Sequence, residues 1–450
     1  MQENIKLMEK TPIKRAILVL AIPSVLAMLV QVIYGLTDAF FIGQLNDPNL
    51  IAALTLIMPF ALLIQAVGNI FAIGGASYIS RMLGEKDILR AKRTCSTAFY
   101  CSVILGIIVA VVAYVMMENV LSLLGTSTAT WEPTETYLTI LVAFSSVQIL
   151  QIVLSGLIRS EGATKQAMFG ILIGTGVNMV LDYVFILIFN WGVAGAAWAT
   201  ILGNLVGTIY YFFYFKNSNT LLSLHPAFFK PDKKMMLEIL SIGLPAALNA
   251  FIMSASHIIC NNLAISYGEN VVAANGIIMR LGAISFFTIM GIAQGYQPFA
   301  GYNFGAKNLK RLKDAFVFTI TLASTIGALC AIIFYIFGKE LLGYFFNNED
   351  AIEKGVVMVR AFVWAMPLFG VHFIISMTFQ ATGKALKAFI LVAVRQIFFF
   401  LPMLFILNHL YGFQGFIFAQ PAADALTSVI ALFLLLLFLR QISPKQKKAK

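Results

Sequence analysis

Long hydrophobic stretches follow one another along the whole chain, separated by short polar segments. Each stretch has about 20 residues or more, which is the length that an α-helix needs to cross the hydrocarbon core of a bilayer. The pattern therefore predicts an all-α, polytopic membrane protein. Twelve spans are predicted, at residues 16–42, 51–79, 94–117, 137–158, 167–189, 193–215, 238–266, 272–300, 315–337, 357–379, 388–407 and 415–439.

The two halves of the chain are similar in sequence. "LGEKDILRAK" (83–92) matches "FGAKNLKRLK" (304–313), and residues 181–200 align with residues 401–420. Such a repeat predicts two pseudo-symmetric lobes of six helices each. Because six is even, both lobes insert the same way up, and a substrate site is expected near the midplane between them. The predicted boundaries are an N-lobe at 1–215, a linker at 216–237 and a C-lobe with a basic tail at 238–450.

The composition agrees with a membrane protein. Hydrophobic residues make up 60% of the chain, charged residues make up 11%, and the mean hydropathy is +0.88. A soluble domain is about 45–50% apolar and about 25% charged, so a soluble fold is excluded. The four cysteines all lie in apolar segments at spacings that suit no metal site, and we expect them to act as small hydrophobic residues.

The positive charges are distributed unevenly between the two sides of the predicted bundle. On the side of the N-terminus, the terminal segments and loops carry 26 of the 31 Lys and Arg residues, whereas the opposite loops carry only Lys339 and Lys354. The positive-inside rule therefore predicts that both termini are cytoplasmic. We expect the membrane to be the plasma (inner) membrane. This distribution explains the net charge of +11 as a topology signal, so no nucleic-acid partner is expected.

Three acidic residues lie inside predicted spans: Asp38, Asp182 and Asp424. A carboxylate at the centre of a membrane helix costs roughly 2.5–3.5 kcal/mol on insertion scales, and such residues usually serve function. Helical spacing places Asn178 on the same face as Asp182, and Gln31 on the same face as Asp38. Ala196, Thr200 and Tyr137 are the other residues of this predicted first-half cluster.

Oxygen atoms predominate in the first-half cluster, so it suits either Na⁺ or a proton. Asp38, Asn178, Asp182 and Thr200 provide carboxylate, amide and hydroxyl oxygens for Na⁺. Two neighbouring carboxylates in a medium of low dielectric constant cannot both stay ionised without a partner, so they could instead hold a proton. The first six spans as drawn contain no Lys or Arg. In the second half, by contrast, Arg280 or Arg395 could neutralise Asp424.

These features resemble the multidrug and toxic compound extrusion (MATE) family, and the MepA-like bacterial exporters in particular. The resemblance rests on Pro23 with Gln31 and Asp38, on "NMVLD" (178–182), on "GVAGAAWAT" (192–200) and on the paired "LGEK" and "FGAK" loops. It implies a V-shaped, two-lobed antiporter of twelve helices that exports lipophilic, often cationic drugs in exchange for H⁺ or Na⁺. It also implies that Asp38, Asn178, Asp182, Ala196 and Thr200 line the cation site, with Gln31 and Tyr137 nearby. No other cofactor is expected, and the protein is expected to work as a monomer.

Other residues are assigned to the drug pathway and to bending. Pro23 and Pro245 occupy matching places early in the first helix of each lobe, so they predict hinges. His257 is expected to be a hydrogen-bonded core residue. The predicted pathway residues of the C-lobe are Asn249, Met253, Asn275, Phe286, Gln294, Gln297 and Asp424.

Two other classes of function are open at this stage. A flippase for a lipid-linked polar substrate can share a related fold, but twelve spans with intramembrane acids argue against it. A membrane-embedded enzyme is the second alternative. The sequence contains no HExxH motif, no Walker loop and no Cys/His cluster, so we predict that the protein is not an enzyme.

Overall fold

The computed structural model describes residues 2–45, 47–217, 220–345 and 348–442, and the described chain is helical almost throughout. Within these residues, ten helices are long and apolar enough to cross a membrane, and two bent helix pairs raise the number to twelve. Each predicted span coincides with one such helix or pair. The side chain of Asp38 and the tail beyond residue 442 lie outside the described part of the chain.

A short helix, α1, precedes the six spans of the first half. Two spans are composite: α6 and α7 form the fourth, and α8 continues as a π-helical turn, Tyr183–Ile188, to form the fifth. The helices are α1 (Gln2–Glu9), α2 (Ile13–Gly43), α3 (Pro48–Gly84), α4 (Ile88–Val115), α5 (Met117–Leu123), α6 (Trp131–Ala143), α7 (Ser145–Ser160), α8 (Thr164–Asp182) and α9 (Gly192–Asn217).

The second half repeats this order after a connection that contains a 3₁₀ turn, Pro226–Phe228. A π-helical segment, Val394–Phe400, joins α15 to α16 within the eleventh span. The helices are α10 (Lys233–Ile265), α11 (Glu269–Gly305), α12 (Leu309–Gly343), α13 (Glu349–Phe362), α14 (Met366–Ala381), α15 (Ala385–Ala393), α16 (Leu401–Tyr411) and α17 (Phe413–Ile442).

The same spans are irregular in both halves. The fourth span bends by 54° between α6 and α7, and the tenth bends by 42° between α13 and α14. The fifth and eleventh spans each contain the π-helical segment given above. Segments of this kind are rare and are frequent at functional sites. The internal repeat that the sequence predicts is therefore visible in the backbone as well.

The two halves contact each other at one end of the bundle, where the first long helix of each half packs against the second long helix of the other. We call this end the basic face and define it by the loops at residues 85–87, 161–163, 306–308 and 382–384. Helix α2 packs against α11, and α3 packs against α10. A Cβ atom on Gly84 would clash with the backbone carbonyl of Tyr302, and one on Gly305 would clash with the carbonyl of Arg81. The halves are therefore in backbone contact near the basic face.

Polar contacts reinforce this closure. Arg81 of α3 forms an ion pair with Glu238 of α10 at 2.9 Å. Asn303 of α11 donates to the carbonyl oxygen of Met8 at 3.2 Å, and Met8 also packs beside Gly162 of the first half. Helix α1 therefore bridges the two halves on the basic face.

A buried carboxylate organises the loop between α7 and α8. Glu161 accepts hydrogen bonds from the Tyr214 hydroxyl at 2.6 Å, the Thr220 hydroxyl at 2.7 Å and the backbone N–H of Leu221 at 3.0 Å. Burial removes water from this carboxyl and raises the pKa of Glu161 above its usual range, although the three donors oppose the shift. Glu161 therefore fixes the start of the connection between the two halves onto the first half.

We expect Glu161→Ala to lower the apparent melting temperature of the purified protein in detergent by several degrees. The variant leaves buried donors without an acceptor, which costs on the order of 3 kcal/mol. Glu353→Ala, at an exposed position on α13, is the matched control and should leave the melting temperature unchanged. Equal melting temperatures for the two variants would contradict the role given to Glu161.

Candidate functional site

The first-half cluster forms where α8 and α9 pack unusually close together. A Cβ atom on Gly203 of α9 would lie 2.8 Å from the Cβ of Asn178, and one on Gly174 of α8 would lie 2.9 Å from the carbonyl oxygen of Gly203. Only glycine permits this approach. As a result, Asn178 and Asp182 are buried against α9, with Asp182 fully inaccessible to solvent.

Apolar side chains surround the Asp182 end of the cluster. Ala196 and Tyr137 belong to a compact group of buried residues that also includes Ile186 of the π-helical turn. Thr200 lies one turn beyond Ala196, and its hydroxyl is 3.1 Å from that of Tyr34 on α2. The sequence analysis missed Tyr34, although it lies three residues after Gln31 and four before Asp38, on their shared helix face.

This arrangement can hold a proton or a small hard cation. Asp182 supplies a fully buried carboxylate, and burial disfavours its ionised form unless a proton, a cation or a polar partner compensates the charge. Asn178 and Thr200 add an amide and a hydroxyl oxygen, the ligand types that hard cations prefer. Asp38 belongs to α2, which packs against α8, but its side chain is outside the described residues. Its part in the cluster stays a prediction.

A cavity of about 570 Å³ lies between the two halves, within the 300–1,000 Å³ range of small-molecule sites. Phe286 belongs to its wall and meets the ring of Phe373 edge to face, with centroids 5.2 Å apart. The structure brings eight of the predicted site residues into this central cavity: Gln31, Asn178, Thr200, Asn249, Met253, Phe286, Gln294 and Gln297.

Two predicted pathway residues lie elsewhere in the second half. Asp424 is fully buried and accepts hydrogen bonds from Arg395 at 2.7 Å and from Gln420 at 2.8 Å. Asn275 donates to Asn261 at 3.0 Å and lines a separate cavity of about 50 Å³. Neither residue lines the central cavity.

Comparison with known proteins decides which family has this architecture. The MatE family model matches the chain twice, at residues 23–184 and 245–406, once in each half. The chain belongs to the MatE (MATE) family. It is 31% identical over 435 residues to the multidrug export protein MepA of Staphylococcus aureus, covering 97% of this chain and 96% of the relative. The Staphylococcus saprophyticus MepA is 30% identical over the same coverage.

The fold agrees with this assignment. A crystal structure of MATE in complex with MaL6 superposes with a TM-score of 0.93 at 25% identity, covering 98% of this chain and 99% of that one. The predicted all-helical MATE fold is therefore confirmed. The chain is a transporter and not an enzyme, and the two relatives named above are multidrug export proteins.

The fourth span extends beyond its predicted end and includes Arg159. The predicted fourth span ends at residue 158, so Arg159 was assigned to a loop, but the structure places it in the last turn of α7, on the wall of the central cavity. The membrane helices of the first half therefore do contain arginines, including Arg81 in α3 and Arg159 in α7. Arg159 does not neutralise Asp182. Arg159 lies near the first residue of α8, whereas Asp182 is the last residue of that helix, roughly 27 Å away along the helix axis.

The structure also decides among the remaining second-half residues. Arg395, and not Arg280, pairs with Asp424. His257, expected in the core, instead lines both cavities.

The two predicted hinge prolines lie inside continuous helices, Pro23 in α2 and Pro245 in α10, and Pro245 also lines the central cavity.

Several polar residues of the cavity were missed because each one alone looks like an isolated polar residue in a hydrophobic span. Helical spacing was the available signal: Gln65 and Asn69 are one turn apart, as are Gln151, Ser155 and Arg159. Gln380, near the end of α14, likewise lies one turn from Ser376. Only the packing of the helices shows that these residues share one cavity.

Proposed function

We propose that this multidrug efflux transporter exports drug-like compounds in exchange for H⁺ or Na⁺ loaded in its first half. One observation carries the proposal. Asn178 and Thr200 belong to the cluster around the buried Asp182, and the same two side chains line the central cavity. A change of charge at Asp182 therefore acts directly on the wall of the drug site.

Ion uptake is coupled to drug release through this shared wall. Taking up H⁺ or Na⁺ neutralises the Asp182 carboxylate and changes the packing between α8 and α2, which carries Tyr34 and Pro23. A proline removes one backbone hydrogen bond, so α2 can bend near Pro23 at low cost. Bending α2 toward α8 makes the cavity smaller and expels the drug.

The membrane orientation completes the proposal. The excess of Lys and Arg supports cytoplasmic termini, so the basic face lies toward the cytoplasm. The similarity to bacterial MepA exporters supports a location in the plasma membrane. The halves are in backbone contact near that face, which supports an outward-facing conformation. One chain forms the whole cavity, which supports a functional monomer.

The test uses purified protein in proteoliposomes that contain no ATP. We expect an imposed H⁺ or Na⁺ gradient to drive the accumulation of a fluorescent cationic dye such as ethidium, and an ionophore that collapses the gradient to stop it. Dye release on adding Na⁺ at constant pH would assign Na⁺ as the coupling ion, and release only on acidification would assign H⁺. Transport that is independent of both gradients and requires ATP would overturn the proposal.

A further inference from the structure

A polar stripe on α7 reaches into the central cavity. Gln151, Ser155 and Arg159 are spaced by four residues, so they lie one above the other on a single helix face. All three line the cavity. Arg159 occupies the last turn of α7 and is therefore at the end of the cavity nearest the basic face.

Arg159 forms no ion pair with any carboxylate in the described part of the chain. Its Nε atom is buried and has no hydrogen-bond partner there. The nearest acid in sequence, Glu161, already accepts three hydrogen bonds from Tyr214, Thr220 and Leu221. A guanidinium is always charged at physiological pH, so a ligand that brings a counter-charge to this place would be stabilised by Arg159.

Helices of the second half provide further polar atoms without partners in the same cavity. The Nε2 of Gln297 on α11 is buried and makes no hydrogen bond among the described residues, and the same holds for the Oε1 atoms of Gln294 and Gln380. All three residues line the cavity. Side-chain amides can turn to present either donor or acceptor, so the cavity can satisfy both kinds of group on a ligand.

The charge on the cavity wall is positive. Among the described lining residues there is no carboxylate, and Arg159 is the only one with a permanent charge. Apolar and aromatic side chains such as Phe286, Phe287 and Phe373 form much of the remaining wall. A planar guanidinium fork matches the two oxygens of a carboxylate, and such a charge-assisted pair is strong where water is largely excluded.

We propose that the end of the cavity at Arg159 is a subsite for the carboxylate of a substrate, whose aromatic or lipophilic part packs against the Phe286 wall. The preferred substrates are then zwitterions and amphipathic organic acids as well as cations. This inference rests on the proposed export function and adds the class of substrate that the cavity selects.

The test compares two dyes that differ only in this group: tetramethylrhodamine, which has a free carboxylate, and its methyl ester. Binding to purified protein in nanodiscs is measured by fluorescence anisotropy, without any ion gradient. We expect Arg159→Gln to weaken binding of the acid about tenfold, because one charge-assisted interaction is lost, and to change binding of the ester less than about twofold. Arg159→Lys, which keeps the charge but not the fork, should give an intermediate affinity for the acid.

Arg280→Gln is the matched control because it removes the same charge from an exposed position on α11 outside both cavities. It should leave both affinities unchanged. Undiminished ester binding by Arg159→Gln shows that this variant is folded. Equal losses for acid and ester, or no loss for the acid, would overturn the subsite. The binding assay does not need transport, so failure of gradient-driven export would count against the proposed function alone.

Discussion

Asp182→Asn is expected to abolish gradient-driven export while leaving the protein inserted and folded. Asparagine nearly preserves the size of the side chain but can neither release a proton nor offer a charge to Na⁺. Residue 182 then stays permanently neutral, so the ion gradient no longer changes the packing of α8. Export should fall to the level of empty liposomes, measured as ethidium transport in proteoliposomes at matched protein content.

Asp424→Asn is the matched comparison, because Asp424 is equally buried but is paired with Arg395 and Gln420 and lies outside the central cavity. We expect this variant to retain ion coupling, with a changed drug preference or a lower yield, since Arg395 loses its counter-charge. The opposite result, with coupling lost in Asp424→Asn and kept in Asp182→Asn, would place the driving ion in the second half.

Gly84→Val is expected to destabilise the conformation that is closed at the basic face. Even a Cβ atom at Gly84 would clash with the carbonyl of Tyr302, and this backbone cannot move aside as a flexible side chain can. Overpacking of this kind costs roughly 3 kcal/mol. This cost lowers the ratio of the conformation closed at the basic face to the conformation open there about 150-fold. Spin labels placed on the two halves at the face opposite the basic face should therefore report shorter distances in this variant.

Gly276→Val on α11 is the control for this substitution. No atom lies within 4 Å of a Cβ built at Gly276, so the variant adds a β-branched residue to a helix without an inter-lobe clash. Its distance distribution should match that of the parent protein. If Gly84→Val also matched the parent, the backbone contact between Gly84 and Tyr302 would not control the conformation.

The sequence by itself determined the features that depend on local periodicity. Stretches of 20 or more apolar residues specify membrane helices because the bilayer leaves few other ways to satisfy the backbone. The repeat at 83–92 and 304–313 predicted two similar halves, and the family model matches once in each. The four-residue spacing of Asn178 and Asp182 placed both on one helix face, and both are buried. The assignment of Asp38 to the same site stays a prediction.

Only the tertiary structure decided which helix faces meet. The pattern of each span is the same whether Asp424 pairs with Arg280 or Arg395, and the packing of α17 beside the π-helical segment selects Arg395. Tyr34 and Thr200 are 166 residues apart, so no local pattern could join them. Arg159 looked like a loop residue because hydropathy defines the apolar length of a span, whereas a polar last turn continues as helix wherever a cavity provides space for it.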